Sequence, residues 1–345
     1  MSMIDDPLDH DVSFDPNAIG NKTLGIFGLP FTPQEAHTVI IPVPWDVTTS
    51  YGGGAWRGPE AVLEASYQVD LYHEAFPTMW KKGIALLPIS EEWIAQNALY
   101  RLKAEGVIAK LEQGLSPSQD DMRAINAISD RLNQWVESQA RHWLGQGKKI
   151  GILGGDHSTP LGLLRALAKQ YLAFGVLHVD AHMDLRVAYE GFEYSHASIM
   201  YNALSLPAIS HVVQVGIRDA CEQEWDLVNQ SQGRVQVVSN ASLQSRLFIG
   251  ESFDSICTDI VDRLPSLVYV SIDIDGLDPS LCPHTGTPVP GGLSFDQLMY
   301  LLAKLAQSGK QVIGFDLVEV CPTEGTTWNE NVGARVLYHL FGYSG

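Results

Sequence analysis

Three short segments of the sequence bring together residue types that bind metal ions. The segments are GGDHS, DAHMD and SIDID, and their ligand-type side chains belong to His157, Asp180, His182, Asp184, Asp273 and Asp275. Two imidazoles and four carboxylates form a hard donor set, which favours a manganese-like ion over a structural zinc. Because four carboxylates buried together without cations would be heavily penalised, the segments predict a bound divalent metal. That many carboxylates could hold two adjacent ions, with some of them bridging.

Taken one at a time, these residues have simpler explanations. A lone Asp at a strand end is usually a helix cap, and a lone buried His is usually a hydrogen-bonded core residue. Six such residues in three strand-terminal segments are different, because the ends of several strands can converge on one crevice. The metal-site interpretation is therefore preferred to six unrelated structural roles.

The spacing within two segments also favours a shared site. Asp180 and His182 alternate along one extended stretch, as do Asp273 and Asp275, so each pair projects from one side of its backbone. In open parallel sheets, ligands bind beyond the carboxyl ends of the strands. His178, which precedes Asp180, is expected to pack on the opposite face of its strand.

The elements that must position these residues are short β-branched runs separated by helical patterns. Eight strand candidates lie at residues 37–43, 83–89, 149–155, 174–180, 211–217, 235–238, 267–273 and 311–317. Most of them are apolar on consecutive residues, as expected for strands covered on both faces. The sequence therefore predicts an α/β fold with a mainly parallel sheet.

Helices are predicted from caps and apolar periodicity. The clearest helix has Ser116 as its cap, Pro117 at the first helical position and Gln119 completing a capping box. Its expected buried stripe consists of Ile125, Ile128, Leu132, Trp135 and Trp143. A second helix should begin after Ser294 and end at Gly309, and a third should lie at residues 328–340.

The chain organisation predicts one catalytic domain. Residues 1–36 are acidic and rich in Asp, Pro and Gly, so they are expected to form an irregular arm on the surface or on a neighbouring subunit. The catalytic domain should cover residues 37–345, with a helical insertion around residues 90–146.

Composition excludes several classes of function. A formal net charge of −18 and a pI near 4.9 oppose binding to nucleic acid or an anionic membrane surface. Four scattered cysteines form no zinc or disulfide pattern, and the N-terminus lacks a signal peptide. We therefore expect a cytoplasmic protein with a small-molecule substrate.

The metal-binding segments also carry a family resemblance. GGDHS, DAHMD and SIDIDGLDPS resemble the three metal-binding signatures of the ureohydrolase family, which includes arginase, agmatinase and formimidoylglutamase. PWDVTTSYGGGAWRGPEAV, GTPVPGG and DLVEVCP resemble other family loops, so that the likeness extends over about residues 42–342. The resemblance implies a three-layer α/β/α sandwich around a parallel sheet of eight strands, the arginase/deacetylase-like fold.

The resemblance implies a role for each residue of the site. One manganese ion would be held by His157, Asp180, Asp184 and Asp273. The other would be held by Asp180, His182, Asp273 and Asp275, so that Asp180 and Asp273 bridge the two ions; nickel or cobalt are alternatives. Glu319 would hold the guanidinium of the substrate and His196 would act as a proton shuttle. A hydroxide bridging the ions would attack the guanidino carbon and release urea.

The substrate is the least determined part of the sequence interpretation. Residues 185–195 lack the Asn- and Ser-rich pattern by which arginases recognise an amino acid, and SHAS at 195–198 is close to the SHGT of agmatinases. Arg186, however, sits in a DAHMDLR segment that resembles formimidoylglutamases and could pair with a substrate carboxylate. Agmatine is the preferred substrate, with formiminoglutamate, arginine, guanidino acids and guanidine as alternatives.

Two further expectations concern class and assembly. A metal-dependent deacetylase is the class-level alternative, although such enzymes use a single metal site with fewer carboxylates. The family resemblance also implies a homo-oligomer, either a trimer or a hexamer.

Overall fold

A single parallel sheet forms the centre of the molecule. The computed structural model describes residues 14–345. Their strands are β1 Thr38–Val43, β2 Ile84–Leu86, β3 Lys149–Gly154, β4 Phe174–Val179, β5 Ile209–Val215, β6 Val235–Val238, β7 Leu267–Asp273 and β8 Gln311–Val318. They pair in the order β2-β1-β3-β8-β7-β4-β5-β6, and every neighbouring pair is parallel. The eight strands predicted from β-branched runs are therefore confirmed.

Helices cover both faces of the sheet. They are α1 Gly58–Ser66, α2 Glu91–Glu112, α3 Gln119–Leu144, α4 Leu161–Gln170, α5 Ile199–Leu204, α6 Glu222–Gln230, α7 Asn240–Phe248, α8 Phe253–Asp262, α9 Phe295–Gln307 and α10 Trp328–Ser344. Alternate residues of β1 enter two separate cores: Ile40 packs with α1 and α10, whereas Val39 and Ile41 pack with α2 and α3. The predicted three-layer sandwich is confirmed.

The helix boundaries follow local capping chemistry. Ser294 caps α9 as predicted, and it also forms a capping box with Gln297. The cap of α3 was placed wrongly: the Ser118 side chain accepts from the amide of Asp121, so the helix begins two residues after Pro117. Both Ser116 and Ser118 satisfy the sequence pattern for a cap, and only the backbone geometry decides between them.

Part of the predicted N-terminal arm belongs to the core of the chain. Its first residues, 1–13, lie outside the described part. Ile26, Phe27 and Leu29 are buried, and the amide of Phe27 donates to Ser66 Oγ at 2.9 Å. The ring of Phe27 also packs 5.0 Å from that of Tyr338. The polar composition around this stretch had indicated an arm on the surface. The apolar contacts explain why the stretch is buried instead.

Chain topology brings the functional segments together. The last two strands, β7 and β8, insert between β3 and β4, so that β3, β8, β7 and β4 become the four central neighbours. The predicted ligands lie just after β3 and β4 and at the end of β7. Since carboxyl ends of parallel strands meet at one edge, these segments converge at the middle of that edge.

The predicted insertion around residues 90–146 corresponds to α2 and α3. α2 holds the segment after β1 through Asn97. The amide of Asp46 donates to Asn97 Oδ1 at 2.8 Å, and Asn97 Nδ2 donates to Asp46 Oδ1 at 3.0 Å. α3 packs against α4 and β3. The description of these helices as an insertion stays a prediction.

Within residues 14–345, no helix has the length and apolarity required to cross a bilayer.

Candidate metal centre

The six predicted ligand residues meet at the carboxyl edge of the central strands. Five of their side chains are buried, and that of His182 is partly exposed. Ligand-type side chains form two groups, and within each group the ligand atoms all lie within 4.8 Å of one another. The first group consists of His157, His178, Asp180 and Asp184, and the second of Asp180, His182 and Asp275, so that Asp180 belongs to both. The spacing argument agrees with the geometry for Asp180 and His182, whereas Asp275 reaches the site from a short 3-10 helix, Ile274–Gly276, rather than from extended backbone.

The first group is centred on His157. Its Nδ1 lies 2.9 Å from Asp180 Oδ2, 3.1 Å from Asp184 Oδ2 and 3.3 Å from Asp273 Oδ2. A single ring nitrogen carries at most one hydrogen, so it cannot satisfy three carboxylate oxygens. Burial, together with repulsion from the neighbouring acids Asp275 and Asp180, raises the pKa of Asp273 well above its ordinary value. This excess of buried oxygen ligands fits a bound divalent cation.

The second group lies next to the first. His182 Nδ1 is 3.4 Å from Asp180 Oδ1 and 3.2 Å from Asp275 Oδ2. Asp180 Oδ2 thus faces the first group, and Asp180 Oδ1 faces the second. Two overlapping sets of ligands that share a carboxylate fit two adjacent ions better than one.

Backbone amides fix the orientation of these carboxylates. Asp180 Oδ1 accepts from the amide of His182 at 2.6 Å, and Asp273 Oδ1 accepts from that of Asp275 at 2.8 Å. Asp275 Oδ1 accepts from the amide of Ala181 at 3.0 Å, which ties the segment after β7 to the segment after β4. The carboxylates are therefore held in place by the fold itself.

The expectation for His178 was wrong. Its Nε2 lies 2.8 Å from Asp180 Oδ2, and the ring belongs to the first group of ligand atoms. Residues two apart on a strand share a face, so the alternation that pairs Asp180 with His182 also places His178 beside Asp180. The Gln214 amide on β5 donates to Nδ1 at 2.9 Å. Nε2 then carries the hydrogen and donates to the carboxylate.

A buried network that sequence reasoning missed holds the other side of His157. Its Nε2 lies 2.9 Å from Ser271 Oγ, which donates to Asp316 Oδ1 at 3.0 Å. Ser271 and Asp316 face the same space from the adjacent strands β7 and β8, where they are direct register partners. This network orients the ring so that Nδ1 faces the carboxylates.

Glu319 and His196 lie on one side of the ligand groups. Glu319 Oε1 accepts from the amide of His157 at 3.1 Å and lies 3.8 Å from His196 Nδ1. Glu319 Oε2 is buried and has no hydrogen-bond partner among the described residues. Its backbone has a φ of 61°, a left-handed value that is costly for a non-glycine residue. An unpaired buried carboxylate oxygen is suited to a cationic hydrogen-bond donor.

The environment of His196 keeps its ring neutral. Burial, assisted by the nearby His182 and His157, lowers the pKa of His196 to about 3. The Nε2 atom lies 3.4 Å from Ser50 Oγ, in the segment after β1. A neutral ring can accept a proton, and its protonated form donates readily because burial disfavours the charge.

Arg186 is the one predicted site residue whose charged group is engaged elsewhere. Its Nε lies 3.9 Å from Glu224 Oε2, and its guanidinium lies 4.6 Å from the ring centre of Tyr189. Glu224 itself is fixed at the start of α6, where it also accepts from the amide of Leu185 at 3.0 Å. The sequence had left both orientations of Arg186 open, and the structure has the guanidinium directed at Tyr189 and Glu224.

Comparison with known proteins gives relatives that match nearly the whole chain. The sequence profile of the arginase family matches residues 36–342. An N(1)-aminopropylagmatine ureohydrolase of Thermus thermophilus is 32% identical over 329 residues, which is 93% of this chain and 94% of the relative. An agmatinase of Neisseria meningitidis serogroup A is 32% identical over 314 residues, covering 89% of this chain and 88% of that protein.

A solved structure shows the same fold. The agmatine ureohydrolase of Thermoplasma volcanium superposes with a TM-score of 0.72 at 26% identity, over 93% of this chain and 94% of that one. This structural likeness and the sequence relationships outweigh the metal-dependent deacetylase alternative. The chain therefore belongs to the arginase family, and it is a ureohydrolase, a hydrolase of linear amidines.

Proposed function

We propose that this enzyme is a manganese-dependent agmatinase, which hydrolyses the guanidino C–N bond of agmatine to urea and putrescine. The observation that carries the substrate choice is the engagement of Arg186 by Tyr189 and Glu224, because this cation is then not turned toward a substrate carboxylate. The names of the relatives also point to amino-terminated guanidines. Agmatine has a guanidinium, an aliphatic chain and an amine, and it has no carboxylate.

For the metal centre, we propose the ligand sets implied by the family resemblance. His157, Asp180, Asp184 and Asp273 would hold one ion, and Asp180, His182, Asp273 and Asp275 the other. His178 would support Asp180 through its hydrogen bond. The oxygen-rich donor set favours manganese, with nickel or cobalt as alternatives. When bound, two such ions lower the pKa of a shared water and supply hydroxide near neutral pH.

For the substrate guanidinium, we propose Glu319 as the acceptor. Its free Oε2 is buried, and its other oxygen is occupied by the amide of His157, so that the carboxylate cannot turn away. A guanidinium would offer a planar pair of N–H donors to the carboxylate. This contact would hold the guanidino carbon next to the two ligand groups.

His196 would move the proton that the leaving amine needs. An amine leaves poorly from a tetrahedral carbon unless it is protonated, and a positioned imidazole can deliver that proton. The 3.8 Å between His196 and Glu319 places the ring beside the proposed guanidinium position. Ser50 faces its other ring nitrogen and could pass a proton to or from the cleft.

A second candidate substrate is N(1)-aminopropylagmatine. The ureohydrolase of that name in Thermus thermophilus matches a larger share of this chain, 93%, than the 89% matched by the Neisseria agmatinase. The two substrates share the guanidinobutyl unit and differ in the length of the amine end. The same catalytic groups would therefore act on both.

A substrate panel tests the proposed function. The purified enzyme, supplied in turn with manganese, nickel or cobalt, would be incubated with agmatine, N(1)-aminopropylagmatine, arginine, guanidinobutyrate, guanidine and formiminoglutamate. We expect urea release to be fastest with agmatine or its aminopropyl derivative. Faster release of formamide from formiminoglutamate, or of urea from a guanidino acid, would refute the proposed substrate class.

The substitution Arg186→Ala tests whether Arg186 binds the end of the substrate that lies away from the guanidinium. Because the guanidinium is engaged by Tyr189 and Glu224, we expect the kcat/KM for agmatine to change by less than about threefold. Arg123→Ala, on the exposed surface of α3, is the matched control. A selective loss of about 1.5–3 kcal/mol in transition-state binding on a carboxylate substrate would show that Arg186 binds that group.

Assembly and location are also proposed from the family resemblance. We propose a homo-oligomer, a trimer or a hexamer, acting in the cytoplasm on a small molecule. The formal net charge of −18 supports the proposal that the protein binds neither nucleic acid nor an anionic membrane. Light scattering at several protein concentrations would determine the assembly.

A further inference from the structure

Two hydroxyl groups in the segment of residues 44–54, which follows β1, contact His196. The amide of His196 donates to Thr48 Oγ1 at 3.3 Å, and the ring Nε2 of His196 lies 3.4 Å from Ser50 Oγ. Thr48 and His196 are both buried. Because the 44–54 segment contacts both the backbone and the ring of His196, the position of the ring depends on the position of this segment.

The 44–54 segment belongs to neither a strand nor a helix, and a side chain of α2 holds it in place. Arg101 Nη1 donates to three of its carbonyl oxygens, at 3.4 Å for Asp46, 3.2 Å for Val47 and 2.5 Å for Thr49. Hydrogen bonds from a charged donor are roughly twice as strong as those between neutral groups. A single guanidinium therefore fixes the backbone on both sides of Thr48.

Arg101 is itself held in a defined position. Its Nε forms an ion pair of 3.1 Å with Glu105 Oε1, one turn further along α2, and only 17% of the Arg101 side chain is exposed. The backbone at Gly53 packs against the guanidinium, since a Cβ at this glycine would lie 3.8 Å from Arg101 Nη2. The guanidinium is therefore enclosed by the segment that it binds.

Another residue on the same face of α2 holds the beginning of the segment. Asn97 lies four residues before Arg101, so the two side chains are neighbours on the helix surface. Asn97 forms two hydrogen bonds with Asp46, and Asp46 Oδ2 in turn accepts from the amide of Gly54 at 2.7 Å. Asn97 thus fixes the ends of the segment, and Arg101 fixes the part that contacts His196.

We propose that Arg101 is a positioning residue for His196. By holding the carbonyls around Thr48, it keeps both hydroxyls of the 44–54 segment on His196 and keeps the ring 3.8 Å from Glu319. The inference rests on the proposed function, since it takes His196 as the group that transfers the proton. A displacement of about 1 Å in such a group can cost about 10²-fold in rate, so the contacts of Arg101 matter for turnover.

The test removes the hydrogen-bond donors of Arg101 and keeps an apolar side chain in their place. In Arg101→Met, we expect kcat to fall about 10- to 100-fold, while KM changes less than about threefold because Glu319 is not displaced. Lys103→Met is the matched control on the same helix, where it breaks an ion pair of 3.1 Å with Asp121, and it should keep wild-type kinetics. The metal content of both variants should equal that of the wild type.

A double-mutant cycle separates the positioning of His196 from a general loss of structure. If Arg101 acts through His196, then Arg101→Met should lower kcat less than about threefold in the His196→Asn background. The assay would use the guanidine that the wild type hydrolyses fastest. Losses that multiply in the double variant would overturn the proposal, and so would a wild-type kcat in Arg101→Met.

Hydrogen exchange measures the same positioning without an assay of activity. In Arg101→Met, we expect the amides of residues 46–50 and 195–198 to exchange at least about tenfold faster, with no change in α3. Thr48→Val removes the acceptor of the His196 amide and should also speed exchange at residues 195–198. Unchanged exchange at residues 195–198 in Arg101→Met would overturn the proposal. If His196→Asn keeps full activity, the proposed shuttle fails, whereas faster exchange at both segments would still show that Arg101 positions His196.

Discussion

Asp180→Asn is expected to abolish measurable hydrolysis and to reduce the metal content from about two ions per chain to at most one. Asp180 is the residue common to both groups of ligand atoms, and each of its oxygens faces one group. The amide of asparagine would replace one oxygen by a donor and remove the negative charge. Elemental analysis of the purified variant and an assay of urea release would measure both effects.

The control for this substitution is Asp226→Asn, on the exposed side of α6. It should retain full activity and metal content. Removal of metal from the wild type by a chelator should reproduce the Asp180→Asn result, and added manganese should reverse it. A variant that keeps two ions and substantial activity would refute the assignment of Asp180 as a shared ligand.

His196→Asn is expected to lower kcat by about 10²–10⁴-fold, the usual contribution of general acid–base catalysis. The change should leave the metal content intact, because His196 lies outside both groups of ligand atoms. It should also weaken the dependence of kcat on pH. Steady-state kinetics across pH, together with elemental analysis, would separate a proton-transfer role from a structural role.

A matched control for His196 is His211→Asn, on β5 away from the cleft. This variant should show wild-type kinetics. If His196→Asn instead lost metal, His196 would belong to the metal centre. Unchanged kcat at all pH values would eliminate the shuttle role.

The sequence predicted the sheet well because the strands are covered on both faces. A run of consecutive apolar residues identifies such a strand from the sequence alone, without knowledge of the strands that pair with it. The predicted ligands lie at or just after the ends of three of these runs. Asp180 and His182 could be placed together because alternation along an extended backbone is a local property. The convergence of the three segments then followed from the parallel arrangement.

Other features depend on contacts that a local pattern does not contain. His178 lies beside Asp180 as alternation would allow, but its role depends on Gln214, which only the pairing of β4 with β5 brings near. Likewise, Ser271 and Asp316 meet because β7 and β8 are neighbours in this register. The orientation of Arg186 depends on Glu224, which belongs to a helix beyond the next strand.

The late insertion of β7 and β8 has a consequence for synthesis of the chain. β4 lacks its inner neighbour until β7 has been made, and β3 lacks its own until β8 has been made, so each half of the sheet has an unpaired edge in the meantime. Such edges are templates for intermolecular pairing. In a nascent chain that has not yet reached Gln311, nothing can join the β3 half of the sheet to the β4 half, so their open edges are exposed to aggregation until β8 is made.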